Sequence, residues 1–177
     1  MLPALLLLLL PVEARLSEFT LQRGAETVTV SPARASATVL VFVSTICPVS
    51  DKYVERLNAL YQGSAGQGVQ FLAVNPNSNE SRQDVARYAA ENGVRYPMYK
   101  DESNRLADRV GARSTPEAFI YDAEGRLRYR GQIDDAVNPA RVRSHTLRDA
   151  LQAVLQRRGV SPAETRALGC AIHRAGK

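Results

Sequence analysis

A chain of 177 residues with 45% hydrophobic and 23% charged content is long enough to bury an ordinary core as one domain and is not of disordered composition. The formal charge of +5 is uneven: residues 141–177 carry eight Arg or Lys against two acidic residues, and the remainder has fifteen basic and sixteen acidic. These basic residues are spread over two segments with little aromatic material between them, the pattern of a solvated Arg-rich face, so no nucleic-acid role is assigned.

The chain opens MLPALLLLLLPVEAR. About ten apolar residues cannot cross a bilayer as a helix, which needs ~20, so no transmembrane segment is expected. The length suits the apolar region of a secretory leader, and Val12-Glu13-Ala14 supplies a cutting site, although no Lys or Arg precedes the run. Residues 1–14 are therefore expected to be a signal peptide, and the protein to be exported to a periplasmic or extracellular space. A buried helix or a misassigned start is the alternative. In an oxidising compartment two cysteines persist as a disulfide.

In chain order, TVLVFVS (38–44) is a β-branched run typical of a buried strand. Pro48 follows Cys47 where the first turn of a helix tolerates proline. Val49, Tyr53, Leu57, Leu60 and Tyr61 then recur at helical spacing until GSAGQG. VQFLAVN (69–75) is a second buried strand. NESRQDVARYAAENG reads as a helix capped by Asn79 or Ser81, with Asp84 three residues after Ser81 and Gly93 as the stop. Residues 96–114 read as a loop and a short helix near 104–110. PEAFIYD and GRLRYRG flank turn chemistry at Asp122–Gly125 and form a hairpin. Residues 139–159 read as an amphipathic helix with Val142, Leu147, Leu151, Val154 and Leu155 on one face. The order predicts an α/β domain over 15–157, a central mixed β-sheet with helices on both faces. Residues 158–177 form a tail.

Two cysteines carry the chemistry. Cys47 sits where a strand meets a helix, and the unpaired N–H groups and dipole of a helix N-terminus favour an anion there. A thiol so placed can have its pKa lowered from ~8.5 into the range ~3.5–7.5, which makes it a nucleophile. Lys52 lies about one turn on. Cys170 stands in the tail sequence SPAETRALGCAIHR. It either folds back to attack an oxidised Cys47 or serves as a structural or idle thiol. Cys170 and His173 are too few for a zinc site, and no metal or other cofactor is expected. His145, in an Arg-rich stretch, reads as a surface residue.

The stretches VLVFVSTICPVSDKY, VQFLAVN, VGARSTPEAFIYDAEGRLRYRG and QIDDA resemble the thioredoxin superfamily. They are most similar to the exported redoxin branch that shares the alkyl-hydroperoxide-reductase/thiol-specific-antioxidant domain, over roughly residues 16–157. The resemblance implies a thioredoxin-like fold, a catalytic Cys47, and a cis Thr115–Pro116 bond facing the site, where a substrate chain pairs strand-like. Against the Cys-x-x-Cys pattern, CPVS places Ser50 at the second thiol. A serine can hydrogen-bond a thiolate but cannot form a disulfide, so completion falls to Cys170 or to an external thiol. Thr115, Pro116 and Ser50 are the candidate substrate-binding residues. Against the peroxiredoxin pattern Pro-x-x-x-Thr-x-x-Cys, this chain has Leu40 and Ser44, with Thr45 one position out of register. Arg113 and Arg128 are both candidates for the peroxide-orienting arginine. The expected activity is thiol–disulfide oxidoreduction on a protein or small-molecule thiol or disulfide. Thiol peroxidase action on a peroxide, or a non-catalytic module binding a metal or partner, are the alternatives.

Overall fold

The computed structural model describes residues 15–175, so the expected leader at 1–14 lies outside the described residues. Seven strands form one mixed sheet in the order β2 (Glu26–Val30), β1 (Phe19–Arg23), β5 (Met98–Lys100), β4 (Val69–Asn75), β3 (Ala37–Phe42), β7 (Glu117–Asp122), β8 (Leu127–Gly131). At its centre β3 (Ala37–Phe42) and β4 (Val69–Asn75) run parallel, with Val39 opposite Phe71 and Val41 opposite Ala73. All six residues of β3 are buried. That explains the unbroken apolar run: a central strand with both faces covered has no polar alternation to show. On one side β7 (Glu117–Asp122) joins β3 antiparallel, followed by β8 (Leu127–Gly131). The hairpin between them is made by Asp122, whose carboxylate accepts the N–H groups of Glu124 (3.1 Å) and Arg126 (2.9 Å), and by Gly125 at φ +73°.

The two faces bury separate cores. One packs Val39, Val41, Phe71 and Ile120 beneath α2 (Val54–Gly63), α3 (Arg82–Glu91) and α5 (Thr146–Leu155). The other packs Leu40, Phe42, Leu72 and Phe119 beneath α4 (Arg105–Val110), and Ile172 of the tail joins it. Helix α3 opens with the expected capping box, in which Ser81 Oγ accepts from Asp84 N (3.1 Å) and Asp84 accepts from Ser81 N (2.8 Å).

Four elements differ from the sequence reading. A hairpin of β1 (Phe19–Arg23) and β2 (Glu26–Val30) extends the sheet at the N-terminal end. Within the stretch read as loop, β5 (Met98–Lys100) pairs with β4 and, at one position, with β1. The helix after Cys47 is broken into α1 (Pro48–Asp51) and α2 at Lys52-Tyr53. The amphipathic helix is shorter than 139–159: residues 139–141 make a 3-10 turn, and α5 begins only at Thr146. Short strands and helix breaks carry too few residues for their periodicity to register.

Candidate functional site

Cys47 is the N-cap of α1, with Pro48 at the first helical position. It is joined by a disulfide to Cys170, 123 residues away, across a Cα–Cα distance of 6.2 Å. The separation lies within the ~4.4–6.8 Å that disulfides span. The tail therefore does fold back onto the redoxin site. The Thr115–Pro116 bond is cis, and the Thr115 carbonyl oxygen stands 3.1 Å from Cys47 Sγ. In the dithiol form, the Cys47 S–H can donate to this carbonyl.

The tail reaches the site as a strand. β9 (Cys170–Ala171) pairs antiparallel with β6 (Ser114–Thr115), with Cys170 opposite Thr115. It thus occupies the edge beside the cis-proline. Gly169 makes the approach possible, because a Cβ there would collide with the Thr115 carbonyl and lie 3.0 Å from Pro116 N. Gly169→Ala is expected to cost about 1–3 kcal/mol by overpacking against rigid backbone. Urea denaturation of the oxidised protein should register that loss, and faster amide exchange at Cys170 and Ala171 should localise it.

Contacts on both sides of Cys170 hold the tail. Before it, Arg130 N donates to Ala163 O and Thr165 N to Arg130 O, both at 3.0 Å. Thr165 Oγ1 also accepts from Gln132 N (3.0 Å) and lies 2.7 Å from Tyr129 Oη. After it, Ile172 is buried in the second core and its N–H donates to Arg113 O (3.1 Å). His173 N donates to Asn77 Oδ1 (2.8 Å), and Arg174 pairs with Asp108 (2.7 Å).

Beneath the loop that carries Cys47 lies Glu80, 3% exposed, which the sequence reading missed. Its carboxylate accepts from Ser44 Oγ (2.7 Å), Thr45 N (2.6 Å), Thr45 Oγ1 (2.5 Å), Asn75 Nδ2 (2.7 Å) and Asn77 Nδ2 (2.6 Å). Burial alone would push its pKa up, but the hydrogen bonds from Thr45, Ser44 and Asn77 outweigh that and hold it below the ordinary value. One side chain thus ties the segment before Cys47 to Asn77, which in turn binds His173 of the tail. Lys100 lies alongside, donating to Asn75 Oδ1 (3.0 Å), and its burial lowers its pKa. The only available signal was position: a carboxylate soon after the end of a core strand, with nothing to say that it turns inward.

The remaining expected residues fall as follows. Ser50 is buried, and its hydroxyl accepts from Ser44 N (3.3 Å). Ser44 and Thr45 both spend their hydroxyls on Glu80. Lys52 caps the C-terminal end of α1. Arg128 pairs with Asp122 (3.2 Å) beside the hairpin turn, while Arg113 is exposed two residues before Thr115. His145 shares the buried Asp134 with Arg56, at 2.9 and 2.5 Å. The His173 ring meets Ser78 Oγ at 2.8 Å. Ile46 and Leu168, 65% and 55% exposed, place large aliphatic side chains on the surface beside the two cysteines.

A mixed sheet covered on both faces, with a cysteine at the strand–helix junction and a cis-proline opposite, defines a thioredoxin-like protein, here with its second cysteine on a C-terminal strand. The chain belongs to the AhpC/TSA family, whose model matches residues 12–130. Its structure is similar to that of a hypothetical protein from Sinorhizobium meliloti 1021, at 31% identity and a TM-score of 0.83 over 94% of this chain and 96% of that one. An uncharacterized conserved protein from Geobacillus kaustophilus is similar at 28% identity and a TM-score of 0.84, over 94% of each chain. Among functionally named relatives, the thiol-disulfide oxidoreductase ResA of Geobacillus thermodenitrificans is 27% identical over 95 residues, 54% of this chain and 53% of that protein. Sporulation thiol-disulfide oxidoreductase A of Bacillus subtilis is 23% identical, over 54% of this chain and 59% of that protein. The chain thus spans about half the length of the oxidoreductases it matches.

Proposed function

We infer that the protein is a thiol–disulfide oxidoreductase whose redox couple is intramolecular, Cys47 with Cys170. The observation that carries this reading is the disulfide itself, which links the cysteine at the N-cap of α1 to the strand paired beside cis-Pro116. The named relatives support the same chemistry. Thr115 and Pro116, buried beneath the tail, line the disulfide, and Ser50 supports the loop that carries Cys47. The apolar N-terminal run supports export, where such a couple cycles between dithiol and disulfide. Peroxidase action fits less well, because Ser44 turns its hydroxyl to Glu80 and Leu40 stands in the core.

The test is to mix the reduced protein with oxidised glutathione and, separately, with hydrogen peroxide in a stopped-flow instrument, then weigh the products. The expected result is a product about two mass units lighter after glutathione disulfide, free of bound glutathione. With peroxide the thiols should react no faster than an unactivated cysteine. Fast peroxide consumption ending in the same disulfide would replace this reading with a thiol peroxidase.

A further inference from the structure

The two cysteines of the couple are not equally exposed. Cys47 is 2% exposed, shut in by the tail and the Thr115–Pro116 loop. Cys170 is half-buried, and its neighbours Leu168, Gly169 and Ala171 are all exposed. The disulfide is not the sole contact that holds this cover. The tail is also held by Glu164 and Thr165, which bond Arg130 of β8, before Cys170, and by Ile172, His173 and Arg174 after it. The β6 edge, where an extended substrate would add a strand, is taken by β9 in the same way.

Building on the oxidoreductase reading, we propose that the external thiol meets this protein at Cys170 and that Cys47 is the internal member of the couple, the reverse of the order expected from CPVS. In reduction, an incoming thiolate attacks Cys170 Sγ. The Cys47–Cys170 bond breaks, and its electron pair leaves on Cys47 Sγ at the N-cap of α1. A second thiolate of the reductant attacks the sulfur of the first, so the reductant becomes a disulfide and Cys170 leaves as thiolate. Cys47 and Cys170 each take up a proton, and two electrons have passed from two external thiols. In oxidation the steps run backwards: Cys170 thiolate attacks an external disulfide and expels a thiolate. Cys47 thiolate then attacks Cys170 Sγ and expels the second. Thiolate character and access together decide which sulfur exchanges, and a low-pKa thiol is the better leaving group. Cys47 is built to leave and Cys170 to be reached.

The test uses two single-thiol variants of the full chain, Cys47→Ser and Cys170→Ser, with oxidised glutathione as the probe. Hydrogen exchange at residues 172–174 first establishes that the tail is docked in each. Cys170 in Cys47→Ser should then form the glutathione adduct at least about tenfold faster than Cys47 in Cys170→Ser, because access limits the second. In the oxidised wild type, brief exposure to glutathione followed by acid quench and peptide mass mapping should place the adduct on Cys170. An adduct on Cys47, equal or reversed rates, or a tail that undocks in the variants overturns the assignment while leaving the oxidoreductase reading intact. A native disulfide that exchanges with no thiol at either sulfur overturns both.

Discussion

Cys170→Ser is expected to lower the stability of the oxidised protein by about 3–5 kcal/mol, the range for losing a cross-link that closes a loop of more than a hundred residues. The disulfide joins positions 123 residues apart, so nearly the whole domain is restrained in the unfolded chain. Guanidinium titrations of the variant and of oxidised and reduced wild type measure the effect. The variant and the reduced wild type should coincide, both well below the oxidised form. A difference under about 1 kcal/mol would mean that the docked tail alone supplies the stability and that the bond serves only redox chemistry.

Glu80→Ala should be the other large loss, about 3–5 kcal/mol. It would strand the donors of Ser44, Thr45, Asn75 and Asn77 in a buried site, and an unmade buried hydrogen bond costs more than a made one contributes. Glu80→Gln keeps the shape but turns one acceptor into a donor facing donors, so its loss should be smaller. The two variants should also differ from wild type in acid. Because the folded pKa of Glu80 lies below its ordinary value of 4.5, its contribution is fully present above that value. It is lost as pH falls through the lower folded pKa. Thermal melts between pH 6 and 3 should therefore fall more steeply for wild type than for Glu80→Gln. Parallel slopes would remove the carboxylate from the acid sensitivity of the fold. Since Glu80 also holds Thr45, two residues before Cys47, and through Asn77 the tail, both variants should slow re-formation of the disulfide after reduction.

Much of this arrangement is legible in the chain. The β-branched run of β3, Cys47 before Pro48, the capping pair Ser81 and Asp84, and Asp122–Gly125 between two strands are local signals, and local geometry satisfies them. What pairs with what is not local. Residues 163–174 contain no long apolar pattern, and nothing in them says that Thr165 meets β8 or that Ile172 enters the second core. The inward turn of Glu80 is likewise invisible, because its partners come from the segments at 44–45 and 75–77.

A redoxin-type α/β domain, a cysteine at the first strand–helix junction and Ser50 in place of a second thiol can be read from the residues in order. Strand runs, caps and turns are written in neighbouring residues. That Cys170 is the partner of Cys47, that the tail fills the strand edge beside Pro116, and that Glu80 reaches back to Ser44 and Thr45 is settled only in the folded molecule. These contacts join residues from 35 to 123 positions apart, and their formation depends on which surfaces the packed sheet leaves open.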